Sequence, residues 1–126
     1  MEVRNTEKFI FEKLEVYKKA LEFIGKVIDT TKTLPTDIKY TLGKELIKTS
    51  ISIANNLAEG SGRRSRKEKR QFYDIAQGSI FECIPMLSVL KNKTFITQEE
   101  YSELYEYCFI MAKMVSGLIR YQTTNL

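Results

Sequence analysis

Histidine and tryptophan are absent from this chain of 126 residues, and proline and cysteine occur only twice each. Without histidine the commonest general base, the commonest metal ligand and every Ser-His or Cys-His nucleophile are missing. Di-metal bundles that pair inward glutamates with Glu-x-x-His are excluded with them. Cys83 and Cys108 have no paired spacing of a zinc or redox motif, so they are expected to be small buried hydrophobes. No stretch nears the roughly 20 apolar residues of a membrane span. No apolar leader follows Met1-Glu2-Val3-Arg4-Asn5, which predicts a cytoplasmic protein with no membrane partner. Few glycines and prolines beside abundant Leu, Ile, Lys and Glu predict an all-α fold in one domain, 1–126.

Apolar periodicity places four helices at about 11–31, 37–59, 65–91 and 97–121. In the first, Leu14, Tyr17, Leu21, Ile24 and Ile28 form one stripe, and Val16, Ala20, Phe23 and Val27 form a second beside it. Thr30 to Pro35 discourage its continuation. The second turns Leu46, Ile47, Ile51, Ile53, Ala54, Leu57 and Ala58 inward and stops at Gly60, where a left-handed glycine is expected. Ser65 and Glu68 form a capping-box signature for the third, as Thr97 and Glu100 do for the fourth. The third carries Phe72, Ala76, Ser79, Cys83, Met86 and Leu90 on its seam, with Pro85 read as a kink. The fourth carries Tyr101, Leu104, Cys108, Met111, Val115 and Leu118. Short loops between long helices make an antiparallel up-down-up-down four-helix bundle the economical arrangement. Double stripes mean either a thick core or a surface shared between subunits, and we favour self-association.

The net charge of +4 is concentrated in one place. Six of the 20 basic and one of the 16 acidic side chains fall between Arg63 and Arg70, leaving 14 basic against 15 acidic elsewhere. A charge run is commonly just a solvated helix start. Here Arg66, Lys67, Lys69 and Arg70 face the positive end of a helix dipole, which disfavours each exposed cation by about 0.3 to 1 kcal/mol. Stability does not explain them, whereas an anion would, because phosphate oxygens accept from first-turn amides while arginines clamp them. The candidate nucleic-acid-binding residues are therefore Arg63, Arg64, Arg66, Lys67 and Arg70, with Glu59, Gly60, Gly62 and Ser65 shaping the loop. Tyr73 could stack on a base or serve the core. Glu59, Asp74 and Glu82 read as surface ion-pair partners rather than a metal site. Gly60-Ser61-Gly62 lacks the preceding strand and the Gly-Lys-Ser/Thr of a phosphate loop. Neither a catalytic residue, a metal nor a cofactor is expected.

The stretch Asn56-Leu57-Ala58-Glu59-Gly60-Ser61-Gly62-Arg63-Arg64-Ser65, followed by Glu68, Phe72, Ile75-Ala76-Gln77-Gly78-Ser79 and Glu82, resembles the hallmark of a known family. It is similar to the bacterial four-helix-bundle proteins encoded in intervening sequences of 23S ribosomal RNA genes. Phe11 to Ala20, Leu34-Pro35 and Ser116-Gly117-Leu118-Ile119 extend the resemblance over nearly the whole chain. Pro85 departs from the family's usual third helix. The resemblance implies a homopentameric ring, and kinship with accessory proteins of diversity-generating retroelements, which bind nucleic acid and a reverse transcriptase. A ribosomal component is the other partner it suggests. The expected function is a non-catalytic, oligomeric nucleic-acid-binding module, RNA ahead of DNA. The alternative is a protein scaffold whose basic segment docks an acidic partner or a neighbouring subunit.

Overall fold

The computed structural model describes residues 7–124, so the Met1 to Asn5 start lies outside the described residues. Four long helices and no strand occupy them: α1, Glu15–Thr31; α2, residues 36–61; α3, Arg66–Asn92; and α4, Gln98–Thr124. The helices form a bundle in which α1 packs on α2, α2 on α3, α3 on α4, and α4 back on α1.

Helix α1 starts later than its apolar spacing suggests. Ile10–Lys13 wind a separate 3-10 turn, and Leu14 is extended before Glu15. The Glu12 carboxylate causes this locally by accepting the amide of Phe9 at 3.1 Å, which closes the turn on itself. The stripes of α1 also exchange roles: Val16, Ala20, Phe23 and Val27 are buried, while Leu21 and Ile28 remain exposed. Both stripes are apolar, so the choice between them is made by neighbouring helices.

Helix α2 opens at Thr36 after Pro35 and contains a π-helical segment, Lys39–Gly43, before its long run Lys44–Ser61. The Thr41 hydroxyl donates to the Asp37 carbonyl at 2.7 Å, competing for the acceptor that the α-helical ladder would use. Leu46, Ile53, Ala54 and Leu57 are buried as expected, but Ile51 is exposed. In α3, Ser65 is the N-cap, accepting the Glu68 amide at 3.1 Å. Pro85 sits exposed within the helix, and the buried positions Cys83, Leu87 and Leu90 pass it without a change of phase.

The link from α3 to α4 closes with a Schellman-type pair, Thr94 amide to Lys91 carbonyl and Phe95 amide to Leu90 carbonyl, both 2.9 Å. Thr94 takes the left-handed conformation there, at φ 60°. A full capping box then starts α4: the Thr97 amide donates to the Glu100 carboxylate at 2.8 Å, and the Glu100 amide donates to the Thr97 hydroxyl at 3.0 Å.

Cross-helix contacts set which ends meet. The start of α3 touches the end of α4 through Arg66 and Tyr121, and further along Gln77 meets Ser116 and Ser88 meets Tyr101. The end of α2 meets the start of α3, where Gly60 lies against Tyr73, and Ser52 and Ser79 share a 3.0 Å hydrogen bond deeper in. Lys26 of α1 pairs with Glu103 of α4 at 2.7 Å. The core between them includes fully buried Phe23, Leu57, Ile80, Leu87, Leu104 and Met111, each contributing about 1.5 to 3 kcal/mol by burial. Cys83 and Cys108 are both buried and unbridged. A hydrogen bond to Cys108, and then burial, push the Cys83 thiol far above its ordinary range, which leaves it inert.

Candidate nucleic-acid interface

Two helix termini meet where α2 ends and α3 begins. The carbonyl end of α2 carries partial negative charge, and the amide end of α3 carries partial positive charge. Residues 62–65 join them and carry Arg63 and Arg64, while Arg66, Lys67, Lys69 and Arg70 follow in the first two turns of α3. That placement sorts them into two sets.

Arg63, Arg66 and Lys69 have structural partners. Arg63 pairs with Glu59 at 2.9 Å and lies over the Phe72 ring at 4.7 Å from its centroid. Lys69 donates to the Ser61 carbonyl at 2.9 Å, covering an open acceptor at the end of α2. Arg66 reaches across to α4, where it donates to the Tyr121 carbonyl at 3.2 Å and lies 5.2 Å from the Tyr121 ring centroid. Three cations at the start of a helix are thus held by carbonyls, a carboxylate and aromatic rings. Arg66 and Lys69, expected from the dipole of α3 to be unexplained by stability, therefore do have structural partners.

Arg64, Lys67 and Arg70 form the other set. Their side chains make no ion pair or hydrogen bond among the described residues. Arg64 and Lys67 are exposed, and Arg70 is half-buried one turn after Lys67. These three have their charges available, and Lys67, in the first turn of α3, keeps the unfavourable dipole placement.

The loop-shaping residues act differently from expectation. Gly60 is not a left-handed terminator, because no described glycine has a positive φ and α2 continues through it to Ser61. Its small size is what matters: a Cβ there would lie 2.8 Å from the Tyr73 ring and 3.0 Å from the Phe72 Cβ. Gly62 adopts φ −84°, ψ −7°, which any residue can take, and its amide donates to the Ala58 and Glu59 carbonyls. Ser65 caps, but Glu68 does not return to its amide. The Ser65 hydroxyl instead donates to the Glu68 carboxylate at 3.2 Å. Only half of the predicted box forms.

Tyr73 belongs to the core, at 3% exposure against Gly60, and burial raises its phenol above the ordinary value. It is not a stacking platform. Packing brings two residues to this end that sequence reading missed, Arg120 and Tyr121, both exposed at the close of α4. They lie about 50 residues from the segment, and no local signal joins them to it. A shallow cleft of about 550 Å³ flanks the same end, lined by Phe11, Asn55, Ala58, Glu59, Gly62 and Arg63. Asp74 and Glu82 are exposed like Glu59, and no group of three acidic, cysteine or histidine side chains able to hold a metal occurs among the described residues. No described helix is long and apolar enough to cross a membrane.

A four-helix bundle with a cationic patch at one end defines a small all-α module. The family model described as 23S rRNA-intervening sequence protein matches residues 12–117, and this chain belongs to that family. A solved structure from Bacteroides thetaiotaomicron VPI-5482, a protein with unknown function from the S23 ribosomal protein family, shares the fold. It is 24% identical with a TM-score of 0.77, covering 83% of this chain and 95% of that one. No curated protein matches the chain.

Proposed function

We propose that this chain is a non-catalytic, self-associating module that binds nucleic acid, RNA ahead of DNA, through phosphate contacts at its basic end. The observation that carries the reading is the set Arg64, Lys67 and Arg70, three cations at the amide end of α3 with no acid or carbonyl partner among the described residues. Arg63 and Arg66 belong to the same surface as pre-positioned contacts, since their partners already hold the guanidinium groups in place. Membership of a family named for a ribosomal RNA insertion supports RNA as the ligand. An antiparallel up-down-up-down topology fits the helix-end pairings.

Binding through backbone phosphates is steeply salt-dependent, with a slope of about 0.7 to 0.9 per contact neutralised. An Arg64/Lys67/Arg70→Ala variant should therefore lower the salt slope by about 2 to 3 and weaken binding to structured ribosomal RNA fragments, with thermal stability held or slightly raised. Equal affinity and slope for wild type and variant would remove the assignment. The Arg63–Glu59 pair favours a second reading in part, because one cation is already neutralised within the chain, as a protein-docking scaffold would allow. In that case the variant alters protein association and no RNA binding is seen.

Self-association belongs to the same proposal. An apolar groove between α3 and α4 is lined by Ile80, Phe81, Ile84, Tyr105 and Phe109, with Phe81 59% and Phe109 50% exposed. Leu21 and Ile28 form a second exposed apolar strip on α1, which does not neighbour α3 in the bundle. Two different surfaces suit head-to-tail contact, which closes into rings such as the pentamer that the family resemblance implies. Kinship with retroelement accessory proteins stands within this reading. Light scattering at micromolar concentration tests it, and a monomer would sink it.

A further inference from the structure

Resting on the phosphate-binding reading, we infer that the basic end takes unpaired nucleotides, with Tyr121 as the surface on which a base stacks. A site that only neutralises phosphates accepts single and double strands alike. A site that offers an aromatic ring beside its cations selects single strands, because only an unpaired, unstacked base presents its face to a side chain. The basic end has such a ring. Tyr121 is 56% exposed, and Arg66 lies 5.2 Å from its centroid.

The Arg66 contact is more than proximity. Its guanidinium also donates to the Tyr121 carbonyl at 3.2 Å, so cation and ring are tied to one point of α4 and arrive ordered. A base stacking on Tyr121 has Arg66 beside it, and Arg70 follows one turn later on the same side of α3. Phe72 under Arg63 repeats the pairing of arginine with an aromatic ring, but it is half-buried and reads as support. Tyr73 is excluded by its burial. Among the described aromatic residues, Tyr121 is the one that combines high exposure with contact to the basic segment.

The test is fluorescence anisotropy with a labelled oligouridylate, free and annealed to oligoadenylate. It compares wild type, Tyr121→Ala, Tyr121→Phe and Arg64/Lys67/Arg70→Ala. Stacking on one base predicts that Tyr121→Ala loses roughly tenfold in affinity for the single strand and little for the duplex. Its salt slope stays that of wild type, because no charge has been removed, and Tyr121→Phe retains binding. Tyr121 is exposed, so both variants should keep the fold, and the phenylalanine variant checks this with a ring in place. If wild type binds both forms with a steep salt slope and Tyr121→Ala changes neither or both equally, the stacking inference falls and phosphate binding stands. If wild type binds neither form, the phosphate reading falls and takes the stacking role with it. A change in oligomeric mass for Tyr121→Ala would also overturn the inference, by assigning the ring to a second copy.

Discussion

The helix starts at Ser65 and Thr97 carry the same sequence signature and are built in opposite ways. At Thr97 both arms of the capping box close, and Glu99 and Glu100 place negative charge against the positive end of the α4 dipole. At Ser65 one arm closes, and Arg66, Lys67, Lys69 and Arg70 crowd the corresponding end of α3. The first start is arranged for helix stability. The second gives up part of that stability, recovers some through the contacts of Arg63, Arg66 and Lys69, and keeps three cations with no ion pair or hydrogen bond among the described residues. A helix start that is costly to maintain and only partly compensated is where a ligand has something to contribute.

The largest expected effect lies under the basic end, at Gly60. Replacing Gly60 by alanine gains helix propensity of about 1 kcal/mol but forces a Cβ to within 2.8 Å of the buried Tyr73 ring. Overpacking of that kind costs about 1 to 3 kcal/mol, so a net loss of up to about 2 kcal/mol is expected in chemical denaturation. Gly62→Ala, two residues later, meets nothing nearer than 3.6 Å and should change stability by less than about 0.5 kcal/mol. Equal effects at the two positions would restore the turn role that the sequence suggested for Gly60.

Those two glycines show what was legible and what was not. Four helices and both caps could be read because their signals are local: three- and four-residue spacing, and Ser or Thr three positions before Glu. The local pattern suggests a turn at Gly60, whereas its requirement for a small residue comes from Tyr73 on another helix. Which stripe of α1 enters the core was undecidable locally, since Leu21 and Phe23 are equally apolar and only their neighbours differ. The basic segment was visible as a charge count. Its division into held and available cations was not, because Lys69 finds Ser61 and Arg66 finds Tyr121 through the fold.

Alkaline pH probes the buried groups behind the surface. The Cys83 thiol and the Tyr73 phenol both hold their protons more tightly in the folded state than their ordinary values of 9.0 and 10.0. The unfolded chain therefore loses these protons first as pH rises. Their contribution to stability is fully present below about pH 9 and declines above it, by up to roughly 1.4 kcal/mol per pH unit per group. Thermal unfolding between neutral pH and pH 11 should show this decline. Cys83→Ala should remove the part that begins near pH 9, and Tyr73→Phe the part near the basic end that begins near pH 10. A pH-independent midpoint would mean that neither proton is held by the fold.

The smallest expected effect lies at the two helix starts themselves. Lys67 and Glu99 occupy the same place, two residues after the cap, at the two helix starts. Exchange of charge sign at each tests whether the difference between the starts is structural or functional. Lys67→Glu removes a cation from the positive end of a dipole and supplies an anion beside Arg64 and Arg70, so stability should rise by about 0.5 to 1 kcal/mol. Glu99→Lys should lower it by a similar amount. If Lys67 serves ligand binding, the stabilised variant loses RNA affinity while the destabilised one keeps it, and stability and binding move in opposite directions. A variant at Lys67 that gains stability and loses no binding would show that the cations persist at this helix start without need of an anion.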